Sequence, residues 1–126
     1  MRTRGGVVNI GSIHARTTKP GFVSYATSKA ALIGLTQALA VDLGSKGVRV
    51  NVVQPAATQT DMLMRGLDGH PEAYDRLAAY HPLERIADPG EIADAVMFLV
   101  SANASFITGA VLSVDGGIGV RLHDPK

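Results

Sequence analysis

The sequence contains no cysteine, and this absence removes several kinds of chemistry before any motif is considered. Disulfide bonds, thiolate metal sites and cysteine nucleophiles are all excluded. A chain without cysteine is compatible with a reducing compartment, and we therefore expect a cytoplasmic protein. The four histidines, at positions 14, 70, 81 and 123, show no metal-ligand spacing, so no metal site is predicted.

A strong net charge and long apolar runs are also absent. The formal net charge of the 126 residues is +1, so no general attraction to nucleic acid or to an anionic membrane is expected. No stretch approaches the roughly 20 apolar residues that cross a bilayer, and the start of the chain has no signal-peptide core. Partners must therefore be argued from a specific site, and we predict neither a nucleic-acid nor a membrane partner.

What the sequence does contain is an alternation of strand-like and helix-like segments. Short runs rich in β-branched residues are typical of buried strands: "GGVVNIGS" ending near Ser12, "VRVNVVQP" and "AVLSVDGG". Between them lie a helix-forming stretch from about Tyr25 to Ser45 and a capped helix from Asp88 to about Ser101. This order builds a parallel sheet with right-handed crossovers. We predict an α/β, Rossmann-like parallel sheet of about three strands with flanking helices.

The composition of the helices also indicates how the chain packs and associates. Two short helices are expected in the less regular middle of the chain, near residues 62–67 and 71–80. The helix at 25–45 has apolar residues around much of its circumference, more than one sheet-facing side requires. Another helix of the chain or a partner subunit must cover the remainder. Because Ala30, Gly34 and Ala38 permit close helix approach, we expect a homo-oligomer, either a dimer or a tetramer, formed through this helix and the last strand.

One spacing in this helix points to catalysis. Tyr25 and Lys29 are four residues apart in "YATSK", which places both side chains on one helix face. A neighbouring ammonium group stabilises a phenolate, so the phenol becomes a candidate general acid or base. The alternative is a surface contact without function. Ser12 is a third candidate because active sites collect at strand ends in parallel α/β sheets, although a lone serine there is often a turn or capping residue.

Several motifs in this order resemble the short-chain dehydrogenase/reductase family, particularly classical members similar to 3-oxoacyl-[acyl-carrier-protein] reductases. "VVNIGS" is similar to the strand that bears the family's catalytic serine, and "YATSK" is similar to its YxxxK motif. "VRVNVVQP" and "TDM" resemble the strand before the nicotinamide loop and the end of that loop. "RIADPGEIADAVMFLVSANASFITGAVLSVDGG" resembles the final helix, strand and turn. The resemblance implies an NAD(P)-dependent oxidoreductase that interconverts an alcohol and a ketone.

The resemblance also implies roles for individual residues. Tyr25 is the general acid/base, Lys29 acts on Tyr25 and binds the nicotinamide ribose, and Ser12 holds the substrate oxygen. The cofactor, NAD or NADP, is expected to contact Tyr25, Lys29, Pro55, Ala56, Thr58 and Thr60. Without the resemblance, the stretch after Pro55 is a proline turn that leads to a threonine-capped helix.

Three further positions complete the expected site. Ala56 stands where the family usually has glycine, so a backbone conformation open to glycine is restricted there. His14 and Met62 are candidates to line the substrate pocket, and residues 62–85 correspond to the family's variable substrate lid. The simpler interpretations are a loop histidine without a role and a methionine in ordinary packing.

Classical members of the family are roughly twice as long, and their first half contains a glycine-rich turn that cradles the pyrophosphate. The 126 residues contain no such motif. The resemblance therefore identifies residues 1–126 as the C-terminal half of a Rossmann-fold domain that lacks the half binding the dinucleotide phosphates. The alternative is a truncated, non-catalytic oligomerisation module that does not bind dinucleotide. The expected substrate is a small-molecule alcohol or ketone.

Overall fold

The computed structural model describes residues 4–124. The predicted domain range includes residues 1–3 and 125–126, which lie outside the described part. In chain order the elements are β1 (Gly5–Ile10), α1 (Val23–Gly44), β2 (Val48–Pro55), α2 (Asp61–Gly66), α3 (Pro71–Tyr80), α4 (Pro89–Val100) and β3 (Val111–Val114). The predicted strands and helices are all present, with bounds that differ by a few residues.

The three strands form one parallel sheet in the order β1-β2-β3. Gly5 pairs with Val48 in the first ladder, and Val52 pairs with Val111 in the second. The central strand is the most deeply buried: Val50, Val52 and Val53 are all 0% exposed. The near-continuous apolar run of β2 therefore reflects cover on both faces of the sheet, as is typical of parallel strands.

Two buried polar side chains of β2 connect the sheet to the end of α4. The Arg49 guanidinium donates to the carbonyl oxygens of Leu99, Val100, Ser101 and Ile107. Asn51 donates to Ile107 O at 3.0 Å and accepts from Ala110 N at 3.0 Å. A positive charge at a helix C-terminus interacts favourably with the helix dipole. Arg49 thus caps the C-terminal end of α4 and helps fix the turn that leads to β3.

The start of α4 has the capping box that the sequence predicts. The Asp88 carboxylate accepts from Gly90 N at 2.9 Å, and the Glu91 carboxylate accepts from Asp88 N at 3.4 Å. Glu91 also pairs with Arg85 through two hydrogen bonds of 2.6 and 2.8 Å. One carboxylate therefore links the preceding loop to the first turn of the helix.

The helix α1 packs on the sheet through one side. Thr36 and Ala40 are its buried residues, and Asn9 of β1 donates to Thr36 Oγ1 at 3.0 Å. On the other side Leu35 is half-exposed and Val41 is 81% exposed. Ala30, Gly34 and Ala38 are exposed too. Within residues 4–124, no other helix covers this outer side of α1.

Candidate active site

The candidate site lies at the carboxyl end of β1, where Ser12 leaves the sheet. Gly11 N donates to Val53 O at 2.8 Å, which keeps the chain against β2 for one more residue. A Cβ at Gly11 would lie 3.0 Å from Val52 Cγ2 and 3.1 Å from Val53 O, so the close approach favours glycine. Ser12 is buried, and its Oγ accepts from His14 N at 3.1 Å.

Tyr25 and Lys29 reach the same place from the first turns of α1. Lys29 Nζ donates to the carbonyl oxygen of Ile10, the last residue of β1, at 3.0 Å. The same nitrogen lies 5.6 Å from the centre of the Tyr25 ring. Tyr25 itself is 44% exposed. The structure thus brings an accessible phenol and an ammonium group together at the end of β1, close in sequence to Ser12.

Three rings form an aromatic cluster at this point, made of His14, Phe22 and Tyr25. His14 stacks on Phe22 with ring centres 4.6 Å apart and an interplanar angle of 10°. Both rings meet Tyr25 edge-on, at 5.5 Å from His14 and 5.9 Å from Phe22. Such edge-to-face contacts are favourable because aromatic rings carry a quadrupole. The cluster holds the Tyr25 ring from the side of the loop between β1 and α1.

The electrostatic environment of His14 is defined by its neighbours. Its Nδ1 lies 2.8 Å from Thr18 Oγ1. Burial, and secondly the positive charge of Lys19, hold the pKa of His14 below its ordinary value of 6.5. The Lys19 ammonium itself lies 4.9 Å from the centre of the Phe22 ring. The lowered pKa favours the neutral imidazole form of His14.

Sequence reasoning identified His14 but missed the other members of its surroundings. Lys19 and Thr18 lie in a loop without periodicity, so no pattern marks them. Phe22 precedes Tyr25 by three residues, a spacing that places two side chains near each other at a helix start. That spacing was a usable signal for Phe22.

The loop after β2 contains the positions expected to contact the cofactor. Thr58 Oγ1 donates to Ala56 O at 3.1 Å. The loop is fixed by a parallel bridge between Thr58 and Ala87, in which Gln59 N donates to Ala87 O at 2.8 Å. Pro55 ends β2. These residues therefore lie at the carboxyl end of the strand next to β1.

Two expectations for this loop can be compared with the backbone. Glu84 is the non-glycine residue with a positive φ among residues 4–124, so Ala56 lies outside the left-handed region. Alanine in place of glycine therefore imposes no such strain here. Thr60 Oγ1 accepts from Leu63 N at 3.3 Å and caps α2, which is the threonine-capped helix start considered from the sequence.

Met62 lies in the first turn of α2 with 83% of its surface exposed. Ordinary core packing is thus excluded for this side chain within the described chain. Between residues 4 and 124, no three His, Asp or Glu side chains are grouped closely enough to hold a metal ion. No helix in the same range has the length and apolar content needed to span a bilayer.

The residues present fit the nicotinamide end of a dinucleotide. The Lys29 ammonium can donate to ribose hydroxyls, and the hydroxyls of Thr58 and Thr60 can bond a carboxamide. Lys29 reaches the carboxyl end of β1 from α1, and the two threonines follow the carboxyl end of β2. Open α/β sheets bind ligands at such strand ends.

A protein family and a reductase of known name both match nearly the whole chain. The family described as enoyl-(acyl carrier protein) reductase matches residues 1–119. A 3-oxoacyl-[acyl-carrier-protein] reductase of Chlamydia muridarum is 44% identical over 114 residues, covering 90% of this chain and 45% of that protein.

Two solved structures are similar throughout the described fold. The ligand-free aldohexose dehydrogenase of Thermoplasma acidophilum is 35% identical with a TM-score of 0.89, covering 100% of this chain and 52% of the other. A gluconate 5-dehydrogenase of Burkholderia cenocepacia, solved with NADP and tartrate, is 30% identical with a TM-score of 0.85, covering 93% and 46%.

The parallel sheet and these similarities place the chain among Rossmann-like α/β proteins, which confirms the predicted fold class. More particularly, the chain belongs to the short-chain dehydrogenase/reductase family, as its motifs predict. The chain spans about half the length of the relatives that it matches.

Proposed function

We propose that the protein is an NAD(P)-dependent oxidoreductase that interconverts an alcohol and a ketone, with Tyr25 as general acid/base. The observation that carries this proposal is the accessible Tyr25 phenol beside the Lys29 ammonium at the carboxyl end of β1. The NADP in the gluconate 5-dehydrogenase structure supports a nicotinamide dinucleotide as the cofactor.

In this proposal a bound dinucleotide would supply the hydride for reduction of the ketone, or take up the hydride in oxidation of the alcohol. Tyr25 gives its phenolic proton to the carbonyl oxygen during reduction and takes the alcohol proton during oxidation. Ser12 donates a hydrogen bond to the same oxygen, where negative charge develops. Since Ser12 Oγ already accepts from His14 N, its own hydrogen is left for the substrate.

Lys29 serves two purposes in the proposal. An ammonium group has three N–H donors, and the bond to Ile10 O uses one of them. The others are available to ribose hydroxyls of the cofactor. The positive charge also stabilises the negative charge that develops on the Tyr25 oxygen as its proton leaves.

The loop that starts at Pro55 is proposed to hold the carboxamide. Ala56 contributes backbone groups, and the hydroxyls of Thr58 and Thr60 contribute side-chain groups. Thr58 Oγ1 donates within the loop and keeps free lone pairs, while Thr60 Oγ1 accepts from Leu63 N and keeps its hydrogen. His14 and Met62 are proposed to face the substrate, a small-molecule alcohol or ketone.

We also propose that residues 1–126 act as the C-terminal half of a Rossmann domain in a homo-oligomer. The motifs occur in the order of the family's second half, and the match covers 45% of the Chlamydia reductase. The exposed outer side of α1 supports the oligomer, since it presents apolar and small residues to a partner. A cytoplasmic location remains a prediction that cell fractionation tests.

The test is calorimetric titration of the purified protein with NADH and with NADPH. We expect saturable binding that is lost in Lys29→Ala, because the ammonium donors to the ribose are removed. Lys46→Met, in the exposed turn after α1, is the matched control and should bind as the unchanged protein does. A folded protein that binds neither dinucleotide would support the non-catalytic oligomerisation module instead.

A further inference from the structure

The loop between β1 and α1, which contains His14 and Phe22 of the aromatic cluster, has charges of one sign. The first acidic residue of the chain is Asp42, so all 11 acidic residues follow the loop between β1 and α1. That loop carries Arg16 and Lys19, and the first turn of α1 has no acidic residue. This loop beside the candidate site is therefore positively charged, although the net charge of the chain is only +1.

Lys19 differs from an ordinary surface lysine because its ammonium group has a defined position. It lies 4.9 Å from the centre of the Phe22 ring, which stacks on His14. His14 in turn meets the Tyr25 ring edge-on. This series of contacts connects Lys19 to Tyr25 through two rings. A cation held against an aromatic face has already lost part of its side-chain freedom, which lowers the entropy cost of binding an anion.

The Lys19 ammonium also has no carboxylate partner in the part of the chain that the structure describes. The ion pair found there joins Arg85 and Glu91. Arg16, the other cation of the loop, has no ring contact in the cluster among residues 4–124. Of the two cations in this loop, Lys19 is thus the one that is both positioned beside the site and unpaired.

We infer that the substrate carries an anionic group, such as a carboxylate, and that Lys19 binds this group while Tyr25 acts on the carbonyl. The inference rests on the proposed alcohol–ketone chemistry and adds the charge of the substrate to it. A charge-assisted hydrogen bond from an ammonium to a carboxylate is roughly twice as strong as a neutral one. Lys19 would therefore favour an anionic ketone over a neutral ketone of the same shape.

The test uses two ketones that differ in charge, acetoacetate and its neutral methyl ester. Reduction by NADH or NADPH is measured with the unchanged protein, Lys19→Met and Lys46→Met. Lys19→Met keeps an unbranched apolar side chain against Phe22 and removes the charge. We expect kcat/KM for acetoacetate to fall about tenfold in Lys19→Met, and that for the ester to change less than about twofold. Lys46→Met should leave both values unchanged.

An equal loss for both ketones, or no loss for either, would overturn the inference. A second measurement separates it from the proposed function, because it requires no turnover. His14 is titrated by NMR with and without acetoacetate. A carboxylate bound at Lys19 offsets the positive charge that lowers the His14 pKa, so the titration midpoint should rise in the unchanged protein and in Lys46→Met. The added acetoacetate should have no effect in Lys19→Met.

The two measurements together give distinguishable outcomes. If acetoacetate raises the His14 midpoint but neither ketone is reduced, the anion site stands and the proposed reaction fails for these two ketones. If acetoacetate does not shift the His14 midpoint in the protein without substitutions, the inference is wrong, whether or not ketones are reduced.

Discussion

Tyr25 and a phenylalanine at the same position would share every ring contact and differ in one hydroxyl. Tyr25→Phe keeps the edge-on contacts to His14 and Phe22 and removes the proton that the proposed reaction transfers. We expect turnover to fall by about 10²-fold or more, with unchanged thermal stability. Steady-state kinetics checks this result. Full turnover in Tyr25→Phe would remove Tyr25 from the mechanism.

His14 provides a prediction about pH. Its pKa lies below 6.5 because of burial first and the Lys19 charge second, so an NMR titration should have its midpoint below 6.5. Lys19→Met should raise the midpoint only part of the way, since burial remains. The folded state binds this proton less readily than the unfolded state, so the contribution of His14 to stability decreases as pH falls below 6.5. A midpoint at or above 6.5 would contradict the structure.

At the scale of elements, Arg49 joins β2 to the C-terminal end of α4. Arg49→Met keeps the apolar stem and leaves the carbonyl oxygens of Leu99 and Val100 without this donor. Leaving buried acceptors unsatisfied costs about 1–3 kcal/mol, so we expect a loss of about 3 kcal/mol in the free energy of unfolding. Urea denaturation measures it. Arg65→Met on exposed α2 should change stability by less than about 0.5 kcal/mol.

The elements were predictable because their signals are local. The capping box at Asp88 and the β-branched runs of the strands are complete within a few residues. The structure begins α1 at Val23, two residues before Tyr25, and Phe22 occupies the N-cap position without a capping side chain. A weak cap leaves little for a sequence pattern to detect.

The site was predictable in part for the same reason. Tyr25 and Lys29 share one helix, so their spacing already determines that they lie together. The path of the loop that brings Lys19 to the Phe22 ring depends on tertiary packing, which no local period encodes. The acceptors of Arg49 could not be predicted either, because Leu99 lies 50 residues further along the chain.

At the scale of the whole molecule, the exposed side of α1 predicts assembly. Val41 is 81% exposed, so Val41→Lys should cost the isolated chain less than about 0.5 kcal/mol. In an oligomer formed through this side, the same change buries an unpaired charge and should shift the protein towards a 13.2 kDa monomer. Sedimentation velocity measures the effect.

The matched control for this prediction is Arg65→Glu, which also changes the charge of an exposed side chain but lies on α2. It should leave the sedimentation coefficient unchanged. If the protein without substitutions is a monomer at every concentration, the proposed interface is wrong.

The parallel arrangement of the sheet also bears on how the chain folds. Gly5 must meet Val48, and Val52 must meet Val111, before either ladder can form. Each pairing closes a long loop, and the entropy of that closure is lost before any hydrogen bond between strands compensates it. Formation of α1 shortens the first of these loops. We therefore expect slow refolding, with a rate governed more by the early helicity of residues 23–44 than by the strands themselves.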